Sequence, residues 1–186
     1  MSEKLTEAIK FATEKHEGQI RKASGAPYIM HPLEVGVILC GLTAEEDVVI
    51  AGILHDTIEM CHVTLEEITE KFGSRVAEIV SGESETIDTI QVVEDAWRLR
   101  KANSIEILKT TNDISIHMLW LADKLANMRG IHRLWTEEGD KVFERFSNCD
   151  KREHEWYYRM VLKYTHELCD TAAYEEYENL VNKVFY

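Results

Sequence analysis

Proline is scarce in this chain of 186 residues, because Pro27 and Pro32 are its only two examples. Most of the chain therefore lacks the strongest breaker of helices, which favours an all-α fold. Hydrophobic residues make up 45% of the chain and charged residues 30%, a balance typical of a globular domain with a sizeable core. We expect one helical bundle, a single domain that spans residues 1–186.

Long apolar runs and an excess of basic charge are also missing. No run approaches the ~18 apolar residues of a membrane span, and the first 15 residues carry charges where a signal peptide would be hydrophobic. These absences predict a cytoplasmic protein without a membrane partner. The formal net charge of −13 argues against nucleic acid as a partner, because non-specific affinity for a phosphate backbone requires a basic face. A small phosphorylated substrate would need local cations.

Paired cysteines are the third absence. The four cysteines form no CxxC pair and stand among apolar neighbours: Cys40, Cys61, Cys149 and Cys169. This pattern favours reduced cysteines that pack in the interior over a disulfide framework or a zinc site.

Apolar residues recur at helical spacing along most of the chain. The capping-box sequences that begin at Thr43 and Thr64 each predict a helix start, and Gly73 predicts a helix end. We expect loops at 17–30 and 82–89 and an aromatic C-terminal layer that packs as core. The predicted helices cover 4–16, the segment that starts at Pro32, the segments opened by the two capping boxes, 74–80, 92–108, 114–134, 150–169 and 172–185.

One predicted helix is apolar until it reaches His55, Asp56 and Glu59. His55 and Asp56 are neighbours on the helix, and Glu59 lies one turn beyond His55 on the same face. A divalent metal would explain the three together, with two ligands and a third group acting on a bound water. The alternative is a buried histidine hydrogen-bonded to the adjacent aspartate.

Two further positions bear on this choice. Asp123 stands in a helix that is apolar nearly all round, and a buried carboxylate is costly unless it is paired or bound to metal. His31 stands at a helix start, where it is either a ligand or an ordinary surface residue. Lys124 is either a substrate contact or the partner of a surface carboxylate.

Four segments together resemble the HD-superfamily alarmone hydrolases of the RelA/SpoT type. They are residues 15–22 (Lys-His-Glu-Gly-Gln-Ile-Arg-Lys), 25–32 (Gly-Ala-Pro-Tyr-Ile-Met-His-Pro), 54–59 (Leu-His-Asp-Thr-Ile-Glu) and 121–129 (Leu-Ala-Asp-Lys-Leu-Ala-Asn-Met-Arg). Their order also matches, and the resemblance covers about residues 4–135. It implies an all-helical bundle of the HD-domain type.

The resemblance also implies roles for individual residues. The ligands of one divalent ion, usually manganese, would be His31, His55, Asp56 and Asp123. This mixed nitrogen and oxygen set also suits iron or zinc. Glu59 would be the catalytic acid beside the metal-bound water. The residues that hold a guanine nucleotide would be Arg21, Lys22, Asn127 and, against the diphosphate, Lys124.

The reaction implied is removal of the 3′-pyrophosphate from ppGpp or pppGpp, by a hydrolase without a synthetase segment. One departure is clear, because the family commonly has an acidic residue after Glu59 and this chain has Met60. Two alternatives follow. The first is a related phosphohydrolase that acts on another nucleotide, a nicotinamide dinucleotide phosphate or a phosphorylated small molecule. The second is a nucleotide-binding module with little turnover. The sequence gives no signal for oligomeric state.

Overall fold

The computed structural model describes residues 2–83 and 96–186, and within these ranges every regular element is a helix. The all-α prediction is confirmed. Ile20 and Pro27 form an isolated antiparallel bridge that closes the loop after the first helix. The α-helices are α1 Glu3–Lys15, α2 Met30–Leu42, α3 Glu46–Cys61, α4 Leu65–Phe72, α5 Ser74–Ser81, α6 Ala96–Thr110, α7 Ile114–Glu138, α8 Lys151–Tyr164 and α9 Ala172–Val184. Two 3₁₀ helices cover Gly139–Arg145 and His166–Leu168.

Most helix boundaries lie within a few residues of the predicted ones, but one predicted start is wrong. At α4 the Thr64 hydroxyl accepts a hydrogen bond from the Glu67 amide, and Gly73 ends the helix with φ of 90°, as predicted. At α3 the N-cap is Glu45, not Thr43. The Thr43 hydroxyl instead accepts from the Glu45 amide at 3.1 Å, because this residue is still in the turn that ends α2.

Some predictions fall outside the described residues. These are the 84–89 part of the predicted loop and the 92–95 part of the predicted sixth helix. Gly82 and Glu83, the first two residues of that loop, form a turn after α5.

Helix α7 is the centre of the bundle, as its apolar sequence predicted. Its side chains are buried on almost every side, and α2, α3, α5, α8 and α9 all pack against it. Helices α2 and α3 pack closely on each other, because Gly36 faces Ile53 and Gly52 faces Leu39. The first turn of α2, the C-terminal half of α3 and the middle of α7 therefore meet at one place.

The C-terminal helices form an outer layer over α7. Six aromatic side chains of the C-terminal third are buried, which confirms that they belong to the core: Phe143, Tyr157, Tyr158, Tyr174, Tyr177 and Phe185. The Tyr177 hydroxyl donates to the Tyr158 carbonyl at 2.9 Å, so α9 is also tied to α8 by a buried hydrogen bond.

The cysteines depart from the prediction in their location. All four are free thiols, as expected, but Cys40, Cys149 and Cys169 are exposed and Cys61 is only half-buried. The predicted interior packing role is therefore wrong for the three exposed thiols. Cys40 lies on the exposed side of α2, whereas Cys149 and Cys169 lie outside the helices. Within the described ranges, every helix is too short or too polar to cross a membrane.

Gly52 offers a test of the α2–α3 contact. A Cβ atom at this position would lie 2.2 Å from Leu39 Cδ1 and 3.2 Å from Val35 Cγ1. We expect Gly52→Ala to lower the free energy of unfolding by about 1–3 kcal/mol, because the added methyl overpacks a buried contact. Urea denaturation monitored by circular dichroism measures the change. Gly41→Ala is the control, since a Cβ there meets nothing within 4 Å. An equal effect of both substitutions would contradict the proposed close packing.

Candidate metal centre and active site

Two imidazoles and two carboxylates from three helices converge at the junction of α2, α3 and α7. His31 Nε2 lies 3.0 Å from Asp123 Oδ1 and 3.5 Å from Asp56 Oδ2. His55 Nε2 lies 3.3 Å from Asp56 Oδ2 and 3.7 Å from Asp123 Oδ1. His31, His55 and Asp123 are buried. The structure thus brings together the four residues that the resemblance implied as ligands.

His55 has the hydrogen-bonding pattern of a metal ligand. Its Nδ1 lies 2.8 Å from the Gly52 carbonyl oxygen, a group that can only accept, so Nδ1 carries the proton in this hydrogen bond. Burial would lower the pKa of His55, but Asp56 and Asp123 raise it well above its usual value. A ring that binds a metal is neutral, and its lone pair is then on Nε2. That atom is buried and has no hydrogen-bond partner of acceptable geometry among the described residues. A buried, unpaired nitrogen aimed at two carboxylates fits a divalent cation, since ligating histidines usually fix their ring through the other nitrogen.

A tyrosine holds the second carboxylate in place. The Tyr28 hydroxyl donates to Asp56 Oδ2 at 2.9 Å. The ring of Tyr28 is stacked on the His16 imidazole, with 5.0 Å between ring centroids, and the Arg21 guanidinium lies 5.5 Å from its centroid on the loop before α2. Asp56 therefore has a fixed orientation set by residues of the α1–α2 loop.

Asp123 is held by a network of its own along α7. The Asn127 side-chain amide donates to Asp123 Oδ1 at 2.7 Å, and the Lys124 ammonium contacts Asp123 Oδ2. Lys124 also donates to Glu83 Oε1 at 3.0 Å. The sequence left open that Lys124 pairs with a surface carboxylate. In the structure Lys124 is buried, and its carboxylate partners, Asp123 and Glu83, both lie in the site.

These contacts determine which site groups are charged. Burial would raise the pKa of Asp123, but Lys124 and the two imidazoles hold that pKa well below its usual value. Burial would likewise raise the pKa of Asp56, and His55 holds it below the usual range. The two candidate carboxylate ligands, Asp56 and Asp123, are therefore ionised. Burial raises the pKa of Glu83 to about 7, even with Lys124 beside it.

A polar cavity opens in front of the four clustered residues. Glu59 and Met60, which follow Asp56 on α3, lie on its wall with the exposed part of their side chains. Met60 is 39% exposed, so its thioether occupies the place where the resemblance led us to expect a second acid. The wall also includes Lys101 of α6 and Lys124 of α7. The cavity wall therefore carries the carboxylate of Glu59 and the cations of Lys101 and Lys124 near the cluster.

A second, less polar cavity adjoins the first. Arg21, His31 and Asn127 line both cavities, and the Arg21 guanidinium donates to Asn127 Oδ1 at 2.6 Å. Its remaining wall is mostly aliphatic and aromatic, with Leu33, Val37, Ile131, Leu134 and Phe146. Lys22 is exposed on the loop beside Arg21 and lies outside the described linings of both cavities. The structure therefore brings Arg21 and Asn127 to the site but not the Lys22 side chain.

Sequence reasoning missed two site residues, Tyr28 and Glu83. Tyr28 lies three residues before His31 within a segment that carried the resemblance, so its position was a usable signal. Glu83 follows α5 in a stretch predicted as a loop, and nothing in its local pattern indicated that the chain returns to the site there.

Comparisons with known proteins agree with this geometry. The HD domain family model matches residues 8–149. A guanosine-3′,5′-bis(diphosphate) 3′-pyrophosphohydrolase of Aquifex aeolicus is 39% identical over 76% of this chain and 20% of its own length. A GTP pyrophosphokinase of Myxococcus xanthus is 37% identical over 74% of this chain and 18% of its own length. The chain thus spans about a fifth of the length of these curated relatives.

A solved structure extends the likeness to the C-terminal layer. A metazoan ortholog of SpoT, described as hydrolysing ppGpp, superposes with a TM-score of 0.76 at 24% identity over 98% of this chain and 96% of that one. At this level of identity the likeness concerns the fold, which is therefore shared from the α1 region through α9.

The hydrogen bond from Tyr28 to Asp56 generates a prediction about metal affinity. We expect Tyr28→Phe to weaken divalent-metal binding about 10–100-fold, because it removes the group that orients one carboxylate. His55→Ala should lose the ion during dialysis. Calorimetric titration of the metal-free protein measures both effects, with circular dichroism as the check of folding. Metal affinity unchanged in Tyr28→Phe, or stoichiometric metal in His55→Ala, would contradict the assignment.

Proposed function

The chain belongs to the HD domain family, and from this membership we propose that it is a cytoplasmic metal-dependent hydrolase that removes the 3′-pyrophosphate from ppGpp or pppGpp. The products would be pyrophosphate and GDP or GTP. The observation that carries the proposal is the buried His-His-Asp group beside two adjoining cavities, one polar with cations and one largely apolar. The 3′-pyrophosphohydrolase named among the relatives supports the choice of substrate.

HD domains bind divalent metals, and we propose one ion held by His31, His55, Asp56 and Asp123. Manganese is the proposed ion, with iron or zinc as the alternatives that two imidazoles and two carboxylates also suit. When bound, such an ion lowers the pKa of a coordinated water from 15.7 toward ~7 and polarises a phosphoryl oxygen.

The side chains around the cluster supply the remaining chemistry. Glu59, on the cavity wall one helical turn beyond His55, would orient the attacking water and accept its proton. Lys124 keeps Asp123 ionised and adds positive charge beside the phosphates, and Lys101 adds a second cation at the cavity wall. Tyr28 and Asn127 fix the two carboxylates, so the anionic ligands need little reorganisation.

The apolar cavity would hold the nucleoside. It adjoins the cluster through Arg21, His31 and Asn127, so a ligand with its phosphates at the metal can extend into it. Small-molecule pockets commonly combine apolar walls with a few polar groups that fix orientation. Arg21 and Asn127 would be those polar groups, with Lys22 adding charge at the rim. We propose a guanine nucleotide as the partner, and the formal net charge of −13 argues against a nucleic acid.

Met60 favours a second candidate function. A methionine on the cavity wall cannot accept a proton, so a reaction that needs two acids would run on Glu59 alone. The same site would then act on another nucleotide or on a phosphorylated small molecule that requires only one acid, or would bind nucleotide with little turnover.

A substrate panel with Mn²⁺ tests the proposal. We expect release of pyrophosphate from ppGpp and pppGpp to exceed phosphate release from nicotinamide dinucleotide phosphates and simple phosphomonoesters. Glu59→Gln should lower kcat on ppGpp by about 10²–10⁴-fold, the contribution of one acid–base group, without changing metal content. Ion-exchange chromatography of the products gives the rates.

Two outcomes of this panel would reject the alarmone assignment. One is faster turnover of another phosphorylated compound. The other is a lower kcat on ppGpp in Met60→Asp. That variant supplies the second acid, so the alarmone assignment predicts a higher kcat. A lower kcat in that variant would indicate that the methionine is fitted to a different substrate.

Neighbouring cations on the loop provide a matched test of nucleotide recognition. We expect Arg21→Ala to raise KM for ppGpp by about tenfold or more, since this guanidinium lines both cavities and a charged hydrogen bond is lost. Lys22→Ala should raise KM for ppGpp less than Arg21→Ala does, because Lys22 is not among the described residues that line the two cavities. Steady-state kinetics with measured metal content separates binding from metal loss. Equal KM values in the two variants would contradict a specific role of Arg21. They would indicate that the loop attracts the nucleotide only through its net charge.

A further inference from the structure

Gly130 lies in the interior of α7, eight residues before the C-terminal end of this 25-residue helix. A glycine in this position destabilises a helix relative to alanine, because it has more backbone freedom to lose on folding. An internal glycine therefore needs a reason, either in the packing of the protein or in something that the protein binds.

Internal packing or backbone geometry accounts for seven of the nine glycines. Positive φ angles occur at Gly18, Gly25, Gly73 and Gly139. A Cβ would come within 3.0 Å of a neighbouring side chain at Gly36, Gly52 and Gly82. Only Gly41 and Gly130 have no positive φ and no atom of the described residues within 4 Å of where the Cβ would be. The protein's own packing would accept alanine at both.

The two remaining glycines differ in their surroundings. Gly41 is exposed near the end of α2, whereas Gly130 lines the apolar cavity beside the candidate active site. The open space at Gly130 is therefore space that a bound ligand can use.

The position of Gly130 along α7 indicates which part of a ligand would lie there. Asp123, Asn127 and Gly130 are spaced by four and three residues, so they share one face of the helix. Seven residues at 1.5 Å each place Gly130 about 10 Å beyond Asp123 along the axis. A ligand whose phosphates lie at Asp123 reaches Gly130 only through an extended, non-phosphate part. The apolar side chains around Gly130, such as Ile131 and Leu134, suit a planar ring, and Arg133 adds a cation to the same cavity.

We propose that Gly130 is a specificity-determining position, where the missing side chain admits the base of the substrate nucleotide against the backbone of α7. This inference rests on the proposed function. It adds to that function the residue whose missing side chain leaves space for the base. A side chain at position 130 would project into the cavity and exclude the base, while pyrophosphate and the metal would be unaffected.

Calorimetric titration of the metal-loaded protein with GDP and, separately, with inorganic pyrophosphate tests the proposal. Gly130→Leu should raise the Kd for GDP by at least about tenfold through steric exclusion and leave the Kd for pyrophosphate unchanged. Gly130→Ala should show a smaller rise in the GDP Kd, together with a Tm about 2–4 °C above that of the wild type. Gly41→Leu is the matched control and should bind both ligands as the wild type does.

The outcomes separate this proposal from the proposed function. A Kd for GDP within about twofold of the wild-type value in Gly130→Leu, or in Gly130→Ala if the leucine variant does not fold, overturns the role of Gly130. Weaker pyrophosphate binding in parallel with GDP also overturns it, because the substitution would then act on the whole site. Selective loss of GDP binding supports the role even if the wild-type protein fails to hydrolyse ppGpp, a result that would reject only the choice of substrate.

Discussion

The structure depends on four ionisable side chains, three of them buried and one half-buried, at the junction of α2, α3 and α7. Each of these groups would be costly in the interior on its own. Here each imidazole lies within 3.7 Å of two carboxylates, and each carboxylate has a further donor outside the cluster. Tyr28 serves Asp56, and Asn127 serves Asp123. The helices around the cluster are arranged so that these compensating contacts form together.

The sequence predicted much of this arrangement because its signals are local. Helical spacing located the helices, and the apolar surroundings of His55 and Asp123 marked them as unusual. Contacts between distant segments were less accessible. Only the folded chain shows that Glu83, just after α5, meets Lys124, or that Asn127 bridges Asp123 to Arg21. The capping box at Thr43 failed for a related reason, because the same residue ends the preceding helix and local sequence does not show which role it takes.

Helix α7 combines two functions that place opposite demands on its sequence. Its core positions, such as Leu119 and Leu125, bury apolar side chains against the other helices. Its cavity face carries Asp123, Asn127 and Gly130 in place of large apolar groups. The cavity face contributes less burial than a fully apolar helix would. The C-terminal layer, in which Tyr158 and Tyr177 are buried, adds apolar burial against the same helix.

The distance in sequence between the clustered residues has a consequence for assembly. His31 and Asp123 are separated by 92 positions, so their contact closes a long loop and carries the entropy cost of doing so. The cluster is complete only when α7 has docked on the α2–α3 pair. Any cation that binds all four side chains is therefore linked thermodynamically to that docking, and it stabilises the assembled state over the open one. Occupancy of the site would report that the two distant parts of the chain have come together.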